Sequence, residues 1–248
     1  MNVLLPPSET KAPGGDGPPL ALSALGFPEL NRRRTELIAA VIALCADPVL
    51  ARSALGVAAS KDGEIVATAR LRTTGTRPAL HRYTGVLYDH LDVAGLPPAA
   101  RARAAERLVI TSALFGLLRG GDPVPAYRFS AGTRLAGQPT VAAGWRPVLA
   151  PVLAGLDGLV VDLRSGAYAA FAPVPAAVTV RVLSEAVPGD PSTRSVVSHF
   201  AKAAKGRLAR ALVATRAQVD DVPAVIRVAR RAGLRAERTG ERSIDLIT

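Results

Sequence analysis

Short apolar runs alternate along the chain with segments in which apolar residues recur at helical spacing. Continuous or alternating apolar runs predict strands at 2–5, 64–72, 108–112, 158–163, 178–184, 234–238 and 243–247. Helical spacing of apolar positions predicts helices at 28–46, 48–55, 83–91, 96–107, 145–156, 194–216 and 223–231. Strands that alternate with helices predict an α/β or α+β fold, with a mixed sheet flanked by helices. No long polar linker interrupts the pattern, so we expect a single domain over residues 1–248.

A dense polar segment follows one of the predicted strands. Residues 108–135 read LVITSALFGLLRGGDPVPAYRFSAGTRL. The pair Gly120-Gly121 permits positive φ and a close backbone approach, and Tyr127 and Arg128 can stack on a base or clamp a phosphate. The apolar and glycine residues that precede them also suit a hairpin that offers backbone N–H groups to a DNA phosphate. A tight, well-packed turn explains the same residues without a ligand.

Polar side chains also follow the first predicted strand. Two prolines end the strand at 2–5, and Ser8, Glu9 and Lys11 come next. Ligands of α/β folds gather beyond the carboxyl ends of strands, which makes these three side chains candidates for ligand binding. A solvated turn is the alternative interpretation.

The strand at 158–163 leads into a third candidate segment. Ser165 and Tyr168 come where a helix is expected to start, and the N–H groups of a helix start can bind an anion or a hydroxyl group. N-capping by Ser165 explains the serine without any ligand.

The fourth candidate segment is a basic stripe on the predicted helix at 194–216. Ser198, Lys202 and Lys205 are spaced so that they share one face, and Arg207 adds another cation. Small alanines between them let a ligand or a phosphate backbone approach. A solvated basic face is the alternative.

The charge balance favours anionic partners, namely nucleic acid, nucleotides or phosphorylated metabolites, because the net charge is +11. Of the 31 basic residues, however, 27 are arginine, a bias typical of a GC-rich genome. The four lysines are therefore informative, since a compact ammonium differs from a planar guanidinium. Lys11, Lys202 and Lys205 all fall in the segments selected above.

Composition also bears on the compartment. The single cysteine, Cys45, cannot form an intrachain disulfide, which suits a reducing cytoplasm. The three histidines show no ligand spacing, so we predict no metal site, and no cofactor is evident. No apolar run reaches the ~18 residues of a membrane span, and the N-terminus lacks the features of a signal peptide. We expect a cytoplasmic protein.

Together these segments resemble the YaaA family of bacterial peroxide stress proteins. The matching pieces are LLPPSETK at 4–11, YTGVLYDHL at 83–91, SALFGLLRGGDPVPAYRFSAGTRL at 112–135, Trp145, DLRSGAYAAF at 162–171 and HFAKAAKGRLAR at 199–210. The resemblance implies a cytoplasmic α/β protein of unusual topology with a helix-hairpin-helix-like element and a positively charged cleft. It also implies DNA binding and a role in limiting iron-driven oxidative damage under hydrogen peroxide. Gly120 departs from the family, which usually has proline after the arginine, and is expected to loosen this turn.

Two functions compete at this point. A DNA-binding protein of the peroxide-stress response would use as phosphate contacts Arg128, Arg134, Lys202, Lys205 and Arg207. An enzyme acting on a nucleotide-like or phosphorylated small molecule would have a pocket built from Ser8, Glu9, Lys11, Tyr127, Arg128, Ser165, Tyr168, Lys202 and Lys205. Its candidate catalytic residues are Lys202, Lys205, Glu9 and Tyr127, with a desolvated Lys202 as base or nucleophile. A binding module without turnover is the third possibility.

Overall fold

The computed structural model of the protein describes residues 1–196 and 199–248, and of residues 199 and 200 it describes only the helical backbone. The strands are β1 (Asn2–Leu5), β2 (Gly17–Pro19), β3 (Gly75–Pro78), β4 (Leu108–Ser112), β5 (Gly116–Arg119), β6 (Pro123–Val124), β7 (Val160–Asp162), β8 (Val178–Glu185), β9 (Arg194–Val196), β10 (Arg235–Gly240) and β11 (Ser243–Ile247). The helices are α1 (Asn31–Leu44), α2 (Pro48–Leu55), α3 (Asp62–Ala69), α4 (Ala79–Arg82), α5 (Val86–Leu91), α6 (Pro98–Arg107), α7 (Val141–Ala154), α8 (Gly166–Ala169), α9 (His199–Ala214) and α10 (Val222–Arg231).

A mixed sheet organises the fold. Its strand order is β10-β11-β8-β7-β1-β4-β5, with β9 paired to β8. The five inner strands β11, β8, β7, β1 and β4 are parallel to one another, whereas β10, β5 and β9 run antiparallel to their neighbours. A small second sheet has the order β2-β3-β6. This arrangement confirms the predicted α/β class with a mixed sheet; the single domain over 1–248 stays a prediction.

The centre of the large sheet is built from short strands that are mostly apolar, with their polar residues at the strand ends. Strand β1 pairs with β4 on one side and β7 on the other, and Val3, Leu4 and Leu5 are fully buried. A strand covered on both faces reads as a continuous apolar run, which is why residues 2–5 and 108–112 are recognisable in the sequence with their correct bounds. Because β1, β4 and β7 are parallel, their carboxyl ends share one edge of the sheet.

Two predicted elements are wrong. Residues 64–72 are not a strand, because Asp62–Ala69 forms α3 with Ile65 and Thr68 buried three residues apart. Acidic residues in the first turn favour that helix through its dipole. The helix predicted at 194–216 is shorter: Arg194–Val196 forms β9 along β8, and α9 begins at His199.

The glycine-containing segment at 112–120 forms a β-hairpin of β4 and β5, but its turn is buried and its N–H groups do not face a DNA phosphate. It is the tight connection from β4 to β5, and Ala113, Leu114 and Phe115 are buried. The Trp145 Nε1 atom donates to the carbonyl of Ala113 at 2.7 Å. Gly116 has φ +72°, and a Cβ there would lie 2.8 Å from the ring of Trp145. The helix-hairpin-helix-like element implied by the resemblance is therefore not supplied by this segment.

The turn at Gly120 is closely packed, so the expectation that glycine loosens it is wrong. The backbone N–H of Gly120 donates to the carbonyl of Leu108 at 2.9 Å, a bond that proline cannot make. A Cβ at this position would lie 2.5 Å from Leu80 and 2.8 Å from the carbonyl oxygen of Ala104. Neither Gly120 nor Gly121 has a positive φ. Close packing within the protein, and not an approach to a ligand, explains the glycine.

In the part of the chain that is described, no helix is long and apolar enough to cross a membrane.

Candidate functional site

Polar side chains gather beyond the carboxyl ends of β1, β4 and β7. The loop after β1 carries Ser8, Glu9 and Lys11, and Ser112 ends β4. The segment after β7 carries Arg164, whose backbone carbonyl accepts a hydrogen bond from Lys205. The loop after β6 adds Tyr127 and Arg128. We call this set of loops the carboxyl edge. The sheet topology thus brings together most of the candidates dispersed in the sequence.

All four tyrosines of the protein belong to the carboxyl edge or pack beside it. The rings of Tyr83 and Tyr88 stack with their centroids 5.7 Å apart. The hydroxyl groups of Tyr83 and Tyr127 are 2.7 Å apart, and both residues are buried. Tyr168 packs against Phe171, with ring centroids 5.1 Å apart. In a chain with only 4% aromatic residues, this region therefore holds all four phenol hydroxyl groups.

Ser112 anchors the tyrosine hydroxyls to the end of β4. Its Oγ lies 2.8 Å from the hydroxyl oxygen of Tyr127 and accepts hydrogen bonds from the backbone N–H groups of Leu114 and Phe115. Burial raises the pKa of Tyr83 to about 12, although its hydrogen bond with Tyr127 opposes the rise. Burial also raises the pKa of Tyr127 well above its ordinary value. Both phenols are therefore protonated at neutral pH.

Lys11 is held between backbone carbonyls and aromatic rings. Its Nζ donates to the carbonyl of Ser8 at 3.0 Å and to that of Glu9 at 3.3 Å. The same atom lies 4.3 Å from the ring centroid of Tyr127 and 5.5 Å from that of Tyr83. Burial, and secondly the nearby Arg128, lower the pKa of Lys11 to about 7. This cation can therefore gain or lose a proton near neutral pH.

Arg128 reaches the carboxyl edge from the loop after β6 and is only partly satisfied there. Its Nη2 donates to Glu9 Oε2 at 3.0 Å, while Nη1 stands 3.7 Å from Glu64 Oε2. The Arg128 side chain is 14% exposed and that of Glu9 is 67% exposed. Glu64 Oε2 is buried and accepts no hydrogen bond from the described residues. A half-buried guanidinium with a single good bond to an exposed carboxylate is well placed to exchange that partner for an anion.

Ser8 and Tyr168 complete the carboxyl edge, whereas the side chain of Ser165 makes no hydrogen bond to the described residues. Ser8 Oγ lies 3.0 Å from Thr10 Oγ1. Burial raises the pKa of Tyr168, and the backbone N–H of Ala131 opposes the rise. Ser165 is exposed at the start of α8, and its side chain makes no capping hydrogen bond, so the expected N-cap interaction is absent there.

Lys205 is committed to the protein backbone. Its Nζ donates to the carbonyl of Arg164 at 3.0 Å, and burial lowers its pKa while Asp162 opposes the fall. Arg164 itself is buried and forms several hydrogen bonds to Asp162 at 2.7–3.2 Å. Gly206 lets α9 pack closely on α5, since a Cβ there would overlap the carbonyl of Leu87. This corner of the carboxyl edge is closed by internal contacts.

The remaining basic candidates are exposed. Lys202, Arg207 and Arg134 all face solvent, and none forms a hydrogen bond or ion pair with a side chain in 1–196 or 201–248. Ser198, expected on the same stripe as Lys202, lies outside the described residues. The predicted site therefore divides into a half-buried cluster at the carboxyl edge and a set of separate exposed cations.

Three contributors were not selected from the sequence. Tyr83 and Ser112 lie within the family-like pieces at 83–91 and 112–135, but their roles depend on hydrogen bonds between distant segments. Glu64 falls in the wrongly predicted strand at 64–72. In the structure it belongs to α3 and lies near Arg128. The acidic residues at the start of 62–69 and the spacing of Ile65 and Thr68 could have indicated a helix there, with Glu64 near the carboxyl edge.

Two further observations limit the chemistry. Within the described ranges, no group of three or more His, Cys, Asp or Glu side chains could hold a metal ion. A groove of about 1080 Å³ lies at the opposite, amino edge of the sheet, lined by Asn2, Arg107, Arg119 and the apolar face of α7. None of the candidate residues from the sequence lines this groove.

Comparison with known proteins places the chain among relatives of similar length. A family model described as peroxide stress protein YaaA matches residues 1–238. A UPF0246 protein of Corynebacterium efficiens is 48% identical over 241 residues, covering 96% of this chain and 95% of the relative. A UPF0246 protein of Streptomyces coelicolor is 47% identical over 218 residues, covering 87% and 84%. An uncharacterised protein of Campylobacter jejuni is 30% identical over 141 residues, covering 56% and 54%.

Proposed function

The chain belongs to the YaaA family of peroxide stress proteins, and on that premise we propose that its carboxyl edge binds and acts on a small phosphorylated or nucleotide-like molecule. Polar groups from the loops after β1, β6 and β7 converge there. Convergence of chemically diverse side chains at the carboxyl ends of parallel strands is the usual arrangement of a ligand site in α/β proteins.

The observation that carries the proposal is the state of Arg128. A guanidinium has five N–H donors in a fork that matches the oxygens of phosphate or carboxylate. Of these donors, one makes a bond of ordinary length to Glu9, and Nε makes a longer contact of 3.5 Å to the carbonyl of Leu55. Lys11 adds a second cation next to it. An anion that accepts two hydrogen bonds from Arg128 would replace the exposed carboxylate of Glu9 at little cost.

Calorimetric titration with inorganic phosphate and with AMP tests this proposal. We expect binding by the wild-type protein and a loss of about tenfold or more in Arg128→Ala, because a charged hydrogen-bond pair is removed. Arg242→Ala is the matched control, since the Arg242 side chain is exposed and, among the described residues, donates only to the carbonyl of Ala176. Incubation with a nucleotide mixture and analysis of products separates turnover from simple binding. No binding of either anion, or equal losses in both variants, would reject the site.

DNA binding is the second candidate, favoured by the exposed cations Lys202, Arg207 and Arg134 together with the net charge of +11. Phosphate contacts of this kind release counterions, so the logarithm of the binding constant falls with the logarithm of salt by about 0.9 per phosphate neutralised. These cations make no ion pair with the described side chains, so they can supply such contacts without breaking one.

Fluorescence anisotropy of labelled duplex and single-stranded DNA against salt tests the second candidate. We expect Lys202→Ala/Arg207→Ala to weaken binding and to reduce the salt slope by about two. Lys61→Ala/Arg72→Ala is the control, because it removes the same charge from exposed residues on another part of the surface. Absence of binding at about 50 mM salt, or equal effects of the two double variants, would reject it.

The physiological part of the proposal is that the protein limits iron-driven oxidative damage under hydrogen peroxide. Family membership supports it. A deletion strain complemented with wild type, Arg128→Ala or Lys202→Ala/Arg207→Ala, and then challenged with peroxide, would show whether the anion site, the exposed cations or neither is needed for survival.

A further inference from the structure

The three hydroxyl groups of Ser112, Tyr127 and Tyr83 form a chain whose hydrogen atoms can be counted. A serine oxygen has two lone pairs and one hydrogen. The N–H groups of Leu114 and Phe115 both point at Ser112 Oγ, at 3.2 and 3.1 Å, and occupy its accepting capacity. Ser112 must therefore donate its own hydrogen, and the hydroxyl oxygen of Tyr127 is 2.8 Å away.

One hydrogen is left over at the other end of this chain. If Tyr127 donates to Tyr83 across their 2.7 Å contact, the hydrogen of Tyr83 has no acceptor among the described residues. If instead Tyr83 donates to Tyr127, the leftover hydrogen belongs to Tyr127. A buried hydroxyl hydrogen without an acceptor is uncommon in proteins and calls for a water molecule or a ligand.

The surroundings favour Tyr83 as the owner of the leftover hydrogen. Tyr127 is packed on its ring by Phe115, edge-on at 5.2 Å, and by the Lys11 ammonium at 4.3 Å. Tyr83 lies at the end of the chain, and its backbone forms a β-bridge with Lys11 in the loop after β1.

We propose that Tyr83 is a ligand-binding residue whose hydroxyl group donates a hydrogen bond to an anionic oxygen of the molecule bound at the carboxyl edge. Ser112 and Tyr127 are positioning residues, because they fix the direction of the chain from the N–H groups of Leu114 and Phe115 towards the ligand. The ligand class is an oxyanion, either a phosphoryl or a carboxylate group, and this inference rests on the proposed anion site.

Titration with inorganic phosphate and with oxalate tests the role of Tyr83 and separates the two oxyanion classes. Tyr83→Phe is expected to weaken binding of the preferred anion by about tenfold, the effect of losing one hydrogen bond to a charged group. Tyr88→Phe is the matched control: it is a buried tyrosine stacked on Tyr83, but its hydroxyl donates to the carbonyl of Pro6 at 2.9 Å. We expect that control to stay within about twofold of wild type.

The outcomes distinguish this inference from the proposed function. If wild type binds phosphate or oxalate and Arg128→Ala loses it, but Tyr83→Phe binds as wild type does, the anion site stands and the role of Tyr83 is overturned. If wild type binds neither anion, the proposed function falls and this role falls with it. Equal weakening by Tyr83→Phe and Tyr88→Phe would show a packing effect and would also overturn the role.

A second measurement needs no ligand. Neutron diffraction from deuterated crystals locates hydroxyl deuterium atoms directly. We expect Ser112 to donate to Tyr127, Tyr127 to donate to Tyr83, and the deuterium of Tyr83 to point away from both. The opposite direction between the two tyrosines, or a Tyr83 deuterium bonded to a protein acceptor, would overturn the inference whether or not any anion binds.

Discussion

Two arginine–carboxylate pairs at the same edge of the sheet are built in opposite ways. Arg164 is fully buried and binds Asp162 through several short hydrogen bonds, with the Asp162 side chain 12% exposed. Arg128 is 14% exposed and holds Glu9, which is 67% exposed, through one hydrogen bond. The first pair fills its own donors and acceptors, whereas the second leaves donors unused beside a partner that solvent can reach.

This contrast separates a structural arginine–carboxylate contact from one that can bind a ligand. Arg164 also donates to the carbonyls of Tyr168 and Ala172, so its guanidinium closes the segment after β7 on itself. Arg128 donates to Glu9 across 119 residues of sequence, and its other contacts are long, at 3.5 Å to the carbonyl of Leu55 and 3.7 Å to Glu64. Breaking a fully satisfied buried ion pair is costly because it leaves an uncompensated charge, while incomplete satisfaction beside an exposed partner leaves room for exchange.

The largest change in stability is expected from breaking the buried pair of Arg164 and Asp162. Asp162→Asn leaves the buried guanidinium of Arg164 without a counter-charge, and we expect it to lower the free energy of unfolding by about 3–5 kcal/mol. Glu9→Gln removes the charge of the exposed partner of Arg128 in the same way, and it is expected to change the free energy of unfolding by less than about 1 kcal/mol. Denaturant unfolding of both variants measures the contrast. Similar losses in the free energy of unfolding would mean that the two pairs contribute equally to stability.

The second prediction concerns the planar shape of the Arg128 guanidinium. Arg128→Lys keeps the charge but removes the planar fork, so we expect phosphate affinity to fall about tenfold while stability changes little. Titration with inorganic phosphate beside a thermal melt separates the two. Unchanged affinity would mean that only the charge at this position matters, and that paired hydrogen bonds from Arg128 are not used.

The third effect depends on pH. The pKa of Lys11 is lowered to about 7 by burial and by Arg128, whereas the unfolded chain keeps the ordinary value of 10.5. Between these values the unfolded state binds more protons, so stability rises with pH, by at most about 1.4 kcal/mol per pH unit. Lys11→Met should remove this contribution and flatten the profile. Unfolding at pH 7, 8 and 9 is the measurement, and parallel profiles would contradict the lowered pKa.

Much of the fold could be predicted because its inner strands are covered on both faces. The runs at 2–5 and 108–112 are apolar from Val3 to Leu5 and from Leu108 to Ile110, and their polar residues Asn2, Thr111 and Ser112 lie at the strand ends. Residues 64–72 misled the prediction because a short helix with one buried face gives only Ile65 and Thr68 as its signature. Over so few residues, helical spacing and strand alternation are hard to tell apart.

The candidate site could be predicted in position but not in detail. Polar residues after β1 pointed to the carboxyl edge because parallel strands end on the same side. Which cation is exposed, which is buried and which carboxylate each one meets depend on packing between distant segments. Lys202 and Lys205 are three residues apart on one helix, yet the first faces solvent and the second binds the carbonyl of Arg164.

The smallest effect is expected from a change that affects the pair of Arg128 and Glu9 without unfolding the protein. Glu9→Gln removes the carboxylate that competes for Arg128, so we expect phosphate to bind about two- to fivefold more tightly, consistent with the small energy of an exposed ion pair. The gain should shrink at high salt, which screens the original attraction. Titration at low and high salt measures both. Weaker binding would show that Glu9 itself contacts the ligand, and the exchange of partners at Arg128 would then be wrong.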